Sequence, residues 1–268
     1  MISDYLSFRR VGALVRRHVY LLTGSWPRVV ELAYWPLMQM LVWGFTTQFF
    51  LTHSSWLVQA SGALIAGVLL WDVLFRGQLG LSVSFLEEMW SRNLANLFVS
   101  PLRVHELALA LVTMSLVRAL IGLLPAALLA IPLYHYSVFE MGLPLVVYFF
   151  NLIVTGWSVG LAVCGLILRY GQGAETLAWG VVFFLAPFSG IYYPIATLPP
   201  WLQLFAAALP SAYVFEGMRA VLIDGTFRLD LMAWASGLNV IWLGLGFLAF
   251  LQGYRLARRR GAILQQGE

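Results

Sequence analysis

Six long apolar stretches dominate this chain and limit what it can fold into. We place them at residues 29–51, 58–80, 105–131, 143–168, 176–197 and 229–253. Each has about the 20 residues that a helix needs to cross roughly 30 Å of hydrocarbon. Because backbone groups cannot be left unpaired in lipid, stretches of this length indicate membrane-spanning helices. The sequence therefore predicts an all-α polytopic membrane protein with six transmembrane helices.

The basic residues exclude several classes of function. All 16 basic residues are arginine, so the chain has no lysine with which to build a Walker A loop or a Schiff base. The single cysteine, Cys164, excludes an intrachain disulfide and any multi-cysteine metal site. The net charge of +4 comes from arginines that flank the apolar stretches, so we expect no nucleic-acid partner.

The distribution of arginine predicts the orientation in the membrane. Thirteen of the 16 arginines fall on one side of the predicted spans, five of them in residues 1–28 and four in the tail 254–268. Positive charge collects on the cytoplasmic side, so we predict that both termini are cytoplasmic. We expect one transmembrane domain over 1–268, with its six-span bundle at 29–253.

Two amphipathic helices are predicted outside the spans. Residues 1–28 form an interfacial helix on the cytoplasmic side, with arginines off its apolar stripe. Residues 84–98 form a second cytoplasmic helix, which begins at an S-x-x-E capping box, Ser84 and Glu87, and stops before Pro101. The apolar stripe of the first helix consists of Tyr5, Phe8, Gly12, Val15, Val19 and Leu22.

We predict that residues 198–228 form an external re-entrant segment before the last span. The segment begins with prolines at 199 and 200, and its apolar part, Leu202–Leu209, is too short to cross a membrane. Glu216 and Arg219 lie three residues apart, which predicts a weak surface ion pair.

Two motifs suggest chemistry but favour packing. The run from Gly156 to Gly160 matches the G-x-S-x-G elbow of hydrolases, which would make Ser158 the nucleophile of an intramembrane enzyme. The motif lies inside an apolar stretch, where Gly156, Gly160 and Cys164 form the small-xxx-small pattern of packed membrane helices. The four histidines have no metal-ligand spacing, so we predict no metal site.

Charged residues inside the predicted spans are candidates for a translocation path or a polar network. Such residues are costly in a membrane and are often functional. Asp72 and Arg76 share a helix face at i, i+4, whereas the partner of Arg118 is open. Glu31 begins the first span. An alternative function is therefore an ion-coupled secondary transporter built on Asp72, Arg76 and Arg118.

Two segments resemble a known family. Residues 86–102 read Leu-Glu-Glu-Met-Trp-Ser-Arg-Asn-Leu-Ala-Asn-Leu-Phe-Val-Ser-Pro-Leu, an acidic helix followed by a Ser-Pro-Leu turn. Residues 188–219 contain Ser189-Gly190, Pro194, Leu198-Pro199-Pro200-Trp201 and a later Pro210 and Arg219. With the six spans, these segments resemble the permease subunit of type-2 ATP-binding-cassette exporters.

The resemblance implies specific roles and partners. Helix 84–98 would be the coupling helix that touches a cytoplasmic ATPase dimer, and the external segment would gate the path. The chain itself would be no enzyme and would bind no cofactor, since ATP and Mg²⁺ belong to the ATPase. We expect a second permease copy, a homodimer or a heterodimer, and export of an amphipathic, glycan or lipid-linked substrate through the lipid bilayer. The implied coupling residues are Glu87, Glu88, Trp90 and Arg92, and the implied gate residues are Gly190, Pro194, Pro199 and Trp201.

Overall fold

The computed structural model describes residues 6–53 and 58–260, and all regular structure within those ranges is helical. Ten α-helices follow one another, with short 3-10 turns at Val138–Met141, Gly171–Ala174, Ala186–Phe188 and Ile195–Thr197. The helices are α1 (Phe8–Thr23), α2 (Trp26–His53), α3 (Val58–Trp90), α4 (Leu94–Val99), α5 (Val104–Tyr134), α6 (Leu143–Tyr170), α7 (Thr176–Leu185), α8 (Pro200–Ala207), α9 (Pro210–Asp224) and α10 (Leu229–Arg260).

Helix α3 is the centre of the bundle. It packs against α2 and α5 on one side and against α6 on the other, and α6 in turn packs along α10. One apolar core joins α1 to the C-terminal ends of α3 and α10 through residues such as Leu14, Phe85 and Phe250. A second core, which includes Tyr148 and Phe215, lies in the half of the bundle that contains α9. We call the first half the α1 end and the other the α9 end.

The prediction of an all-helical polytopic chain is confirmed, and the described residues contain four or five candidate membrane spans. Helices α3, α5, α6 and α10 are long and apolar enough to cross a membrane, and α8 with α9 forms a fifth candidate that is bent by 99°. Helix α2 has 28 residues but carries Glu31 among its apolar residues and does not meet that standard. The predicted fifth span, 176–197, is not one helix, because α7 ends at Leu185, before Pro187.

The predicted separate helix at 84–98 is wrong. Helix α3 continues without a break to Trp90, and Ser84 lies inside it, where its hydroxyl donates to the Gly80 carbonyl over 2.8 Å rather than capping a helix start. Leu81 and Phe85 are fully buried, so the packed face of α3 extends beyond the predicted end at residue 80. A tight turn follows α3 and leads into the short helix α4.

A Schellman turn ends α3. The Asn93 N–H donates to the Glu88 carbonyl at 2.9 Å, and the Arg92 N–H donates to the Met89 carbonyl at 3.0 Å. Arg92 has φ 54°, a left-handed conformation that glycine usually occupies at this position. The pattern of apolar residues in the sequence continues through this turn, which is why it predicted a single helix.

The buried face of α1 also differs from the predicted stripe. Val11, Leu14, His18 and Leu22 are buried, whereas Phe8 is 75% exposed. Tyr5 lies outside the described residues. The helix is rotated so that His18, rather than Val15 and Val19, is fully buried against the bundle, and the ionic contacts of α1 explain this difference.

Small residues set the close approach of α6 to its neighbours. A Cβ added at Gly156 would lie 2.5 Å from the Leu74 carbonyl oxygen of α3, and one added at Gly253 would overlap the Gly165 carbonyl of α6. Packing of small residues across helices is therefore confirmed. Ser158 lies within α6 and its hydroxyl donates to the Val154 carbonyl over 2.8 Å, so the run is not the strand–turn–helix elbow of a hydrolase.

Replacing Gly253 by alanine tests this packing. Because the added Cβ would meet backbone that cannot move independently, we expect a loss of about 1–3 kcal/mol in the free energy of unfolding. Gly244→Ala is the matched control on the same helix, since nothing lies within 4 Å of its added Cβ. The measurement is the melting temperature of each detergent-solubilised variant. Equal melting temperatures for the two would contradict the packing argument.

Candidate functional site

Three buried carboxylates gather at the α1 end. Glu87 and Glu88 occupy the last turn of α3, and Glu106 occupies the first turn of α5. Their side chains are 11%, 0% and 0% exposed. A buried carboxylate is tolerated only when cations and hydrogen-bond donors surround it. The donors that meet these three carboxylates come largely from α1.

Glu106 of α5 binds the start of α1. Arg10 donates from Nε and Nη2 to the two carboxylate oxygens of Glu106 at 2.9 and 2.7 Å, a bidentate pair. The backbone N–H groups of Ser7 and Arg103 donate to the same carboxylate at 2.7 and 3.0 Å. The hydrogen bond to Glu106 raises the pKa of the Arg10 guanidinium above its ordinary value. One carboxylate thus joins the beginnings of α1 and α5.

Glu88 connects α1 to the turn after α3. Arg17 Nε donates to Oε1 of Glu88 at 2.9 Å, and Asn93 Nδ2 donates to Oε2 at 2.6 Å. Nε2 of His18 lies 3.5 Å from Oε1 of the same carboxylate. The carboxylate therefore holds both α1 and the Schellman turn.

Glu87 supplies the partner of Arg118 that the sequence left open. Arg118 Nη2 donates to Oε2 of Glu87 at 2.6 Å, with both side chains largely buried. Nδ1 of the fully buried His18 lies 3.6 Å from that oxygen, and Nη1 of Arg28 lies 3.7 Å from Oε1. Glu87 thus links α3 to α5, α1 and the start of α2. We call the set Arg10, Arg17, His18, Glu87, Glu88, Glu106 and Arg118 the carboxylate cluster.

The structure divides the four predicted coupling residues into two pairs. Glu87 and Glu88 point into the bundle and do not form an exposed acidic face, which corrects the predicted amphipathic pattern. Trp90 is 47% exposed and Arg92 is exposed. The physical reason is that Arg17 and His18 of α1 lie beside the two carboxylates. They occupy the side of the helix that the sequence alone predicts to face solvent.

An exposed surface covers the cluster. It lies on the turn after α3 and on α4, whose Leu94 is fully buried while Val99 is 87% exposed. Trp90 Nε1 donates to Oε2 of Glu175 at 3.3 Å, which ties this surface to the start of α7. We call this surface, formed by Trp90, Ser91, Arg92, Asn96 and Val99, the α4 surface.

The intramembrane candidates are only partly brought together. Asp72 and Arg76 pair at 3.3 Å, both buried, in the middle of α3 rather than near its end as predicted. Gly122 of α5 approaches the Arg76 guanidinium so closely that an added Cβ would lie 2.8 Å from its Nη1. Glu31 is exposed on α2.

The predicted external segment is stabilised by Glu216 and Arg219, for which the sequence predicted only a weak ion pair. Arg219 Nη1 donates to the Gly190 carbonyl at 2.6 Å, and its Nη2 lies 2.9 Å from Glu216 Oε1. The same carboxylate oxygen accepts the Ile195 N–H at 2.7 Å. Gly190 has φ 68°, so the turn favours glycine. The pair therefore fixes both ends of the 190–195 turn.

The other predicted gate residues belong to the same region. Pro194 precedes the 3-10 turn Ile195–Thr197, and Pro199 precedes α8. Trp201 is 62% exposed on α8. Tyr192 stacks on Trp43 of α2, with ring centroids 4.8 Å apart. The region thus packs against the bundle through the 190–195 turn and exposes an aromatic residue on α8.

A polar network between α6 and α10 was missed by the sequence argument. Asn239 Nδ2 donates to the Asn151 backbone carbonyl and to its Oδ1, both at 3.0 Å. The Thr155 hydroxyl lies 2.8 Å from Asn239 Oδ1, and the Ser236 hydroxyl donates to Asn151 Oδ1 at 3.2 Å. Both asparagines stand inside apolar stretches of the sequence, and that position is the local signal that could have identified them.

Within the described ranges, no three His, Cys, Asp or Glu side chains are placed together to hold a metal ion. The carboxylate cluster is instead rich in arginine, and its charges compensate one another. Its chemistry is that of an ionic joint between helices rather than that of a catalytic centre.

Comparisons with known proteins find similarity to one family over most of the chain. Residues 11–223 match the family described as ABC-2 type transporter. ABC transporter G family member 20 of Dictyostelium discoideum is 28% identical over 165 residues, which cover 60% of this chain. Those residues amount to 22% of the Dictyostelium protein, so the chain corresponds to a minor part of that relative.

The pair of Glu87 and Arg118 gives a test of the cluster. Removing one partner leaves a buried charge uncompensated, so Glu87→Gln and Arg118→Gln should each destabilise the fold by about 3–5 kcal/mol. The double variant should lose clearly less than the sum. Melting temperatures in detergent provide the measurement. Arg228→Gln is the control, because its pair with Asp230 is half exposed, and strictly additive losses at Glu87 and Arg118 would disprove the coupling.

Arg219 gives a second test, at the α9 end. Arg219→Ala leaves the Gly190 carbonyl and Glu216 without this donor, so we expect faster hydrogen–deuterium exchange over residues 190–198. Arg219→Lys should restore protection only in part, because a lysine cannot contact both acceptors through a planar fork. The control is Arg260→Ala, an exposed arginine at the α1 end. Unchanged exchange in Arg219→Ala would show that the turn does not depend on this arginine.

Proposed function

The chain belongs to the ABC-2 type transporter family, and on that basis we propose that this membrane subunit of an ABC transporter exports its substrate with energy from a separate ATPase. The substrate class that we propose is amphipathic, glycan or lipid-linked. Outward transport follows from the resemblance to type-2 exporters. These 268 residues contain no lysine, which a Walker A loop requires to reach the nucleotide phosphates, so the proposed energy source binds ATP elsewhere.

One observation carries the proposed coupling. The α4 surface is exposed, but the turn that forms part of it is bound to the buried Glu88. The Glu88 carboxylate accepts hydrogen bonds from Asn93 of the turn and from Arg17 of α1. A partner that presses on this surface would therefore act on a charged joint between helices. We propose that the ATPase docks on the α4 surface, with Trp90 and Arg92 as direct contacts, and that Glu87 and Glu88 transmit the movement.

The carboxylate cluster offers two routes for that movement. A displacement of Glu88 would move α1 through Arg17. A displacement of Glu87 would move the middle of α5 through Arg118. Buried ion pairs tolerate little stretching, so α1 and α5 should move with the end of α3 as one body. ATP-driven closure of the partner would then shift these helices against α6 and α10, which are joined by glycines and the asparagine network.

We propose that two permease copies form the path, as the resemblance implies, with the external segment at the far end. The Glu216–Arg219 pair would hold the 190–195 turn and α8 in place while the cytoplasmic halves move. ATP and Mg²⁺ would bind only to the ATPase. We place the complex in a bacterial inner membrane with both termini of this chain in the cytoplasm.

The alternative of an ion-coupled secondary transporter receives no support from the charged residues. Asp72 already pairs with Arg76, and Arg118 already pairs with Glu87. Each charge that would serve as an ion site is compensated inside the protein, which favours a structural role.

Capture of the ATPase tests the proposed docking surface. The full chain is expressed with the ATPase encoded beside it, and the complex is isolated through a tag on one subunit. Changing Trp90→Ala and Arg92→Glu together should lower the captured ATPase by at least about tenfold, a loss of roughly 1.4 kcal/mol. Glu87 and Glu88 are left intact, since altering buried carboxylates would disturb folding.

The matched control combines Trp26→Ala with Arg9→Glu, which alters an exposed tryptophan and an exposed arginine elsewhere on the described surface. Arg92→Gly is a further control, because glycine suits the left-handed turn while the charge is lost. Equal capture by the double variant and its control would refute docking on the α4 surface. Failure of the unaltered chain to capture any ATPase would refute the proposed function itself.

A further inference from the structure

We propose that the pocket between the start of α5 and the last turns of α10 binds the headgroup of an anionic phospholipid. The pocket has a volume of about 450 Å³ and is lined by Val104, Leu251, Tyr254, Arg255, Arg258 and Arg259. This site is separate from the α4 surface. Binding of a lipid there is not part of the transport function proposed above.

The arginines of the pocket share one face of α10. Arg255, Arg258 and Arg259 stand at i, i+3 and i+4, so their side chains project to the same side of the helix. Three guanidinium groups around one opening form a strong binding site for phosphate, which they can contact through paired N–H donors. The charge of the pocket therefore selects an anionic ligand.

These arginines differ from three others at the same end of the bundle. Arg10, Arg17 and Arg28 each face a carboxylate of the cluster. Among the described residues, no carboxylate lies within 4.0 Å of the three pocket arginines, and all three are exposed. The fold thus pairs these three arginines with carboxylates and leaves those of the pocket for an external anion.

The position of the pocket favours a lipid over a free ion. Helices α5 and α10 are candidate membrane spans, and the pocket joins the first residue of one to the last turns of the other. It therefore lies at the level where a span meets the headgroup region. Val104 and Leu251 give it an apolar side, which suits the glycerol and upper acyl chain of a lipid. Basic pockets between spans on the predicted cytoplasmic side are suited to anionic headgroups.

Native mass spectrometry of the full chain in neutral detergent tests the proposal. Dioleoyl phosphatidylglycerol and dioleoyl phosphatidylcholine, which have the same acyl chains, are added at equal concentration. The unaltered chain should bind the phosphatidylglycerol in preference. The triple variant Arg255→Gln, Arg258→Gln, Arg259→Gln should lose this preference by about tenfold or more, since each arginine near an anionic surface contributes on the order of fivefold.

The matched control is Arg9→Gln, Arg16→Gln, Arg260→Gln, which removes the same charge from exposed positions that do not line the pocket. It should keep the preference to within about twofold. A triple arginine-to-lysine variant of the pocket should retain most of the preference and shows that the glutamine variant has not merely unfolded. Equal loss in the pocket variant and its control would overturn the proposal.

Two further outcomes distinguish other ligands. Displacement of the phosphatidylglycerol by millimolar inorganic phosphate would assign the pocket to a free anion and overturn the lipid proposal. Loss of ATPase capture in the pocket variant, with the lipid preference unchanged, would assign the arginines to a protein partner instead. Persistence of the lipid in phosphate, together with normal ATPase capture, would support the proposal.

Discussion

Burial of charge at the α1 end is the constraint on which the rest of this structure depends. Glu87, Glu88 and Glu106 are withdrawn from water, and a buried carboxylate without a cation is strongly destabilising. Helix α1 therefore docks with Arg10, Arg17 and His18 toward the bundle, although this leaves Phe8 exposed. Electrostatic demand, rather than hydrophobicity alone, selects the face that α1 buries.

The helices of the bundle are joined by contacts of two different kinds. At one end, ionic contacts join α1, α3 and α5, whereas α6 and α10 meet through close backbone contacts at Gly165 and Gly253 and through the network of Asn151 and Asn239. Membrane helices gain little from apolar contact with one another, so small residues and hydrogen bonds determine which helices stay together. Two differently joined groups of helices suit a transporter that alternates between conformations.

Hydrogen bonding of turns is the second principle that the ends of the bundle share. Arg92 takes a left-handed conformation so that the end of α3 can close on Glu88, and Gly190 takes one where Arg219 binds its carbonyl. At Arg92 the closing hydrogen bonds join backbone groups, whereas at Gly190 the Arg219 guanidinium donates to the carbonyl, so both turns keep their backbone groups paired. Glu216 and Arg219, which would form only a weak pair on a simple surface, therefore determine the shape of the 190–195 turn.

The sequence by itself determined the all-helical, membrane-spanning character, the lack of a nucleotide-binding lysine and the packing role of Gly156 and Gly160, because these follow from composition and local spacing. It also identified Arg118 as an unusual charge, since charge inside an apolar segment is visible locally, but it predicted only a weak surface pair for Arg219. Only the tertiary structure decided that Glu87 pairs with Arg118, that α3 runs on to Trp90 and that His18 faces inward. Those outcomes depend on groups distant in the chain, and an ion pair between residues 31 positions apart leaves no periodic signal in the sequence.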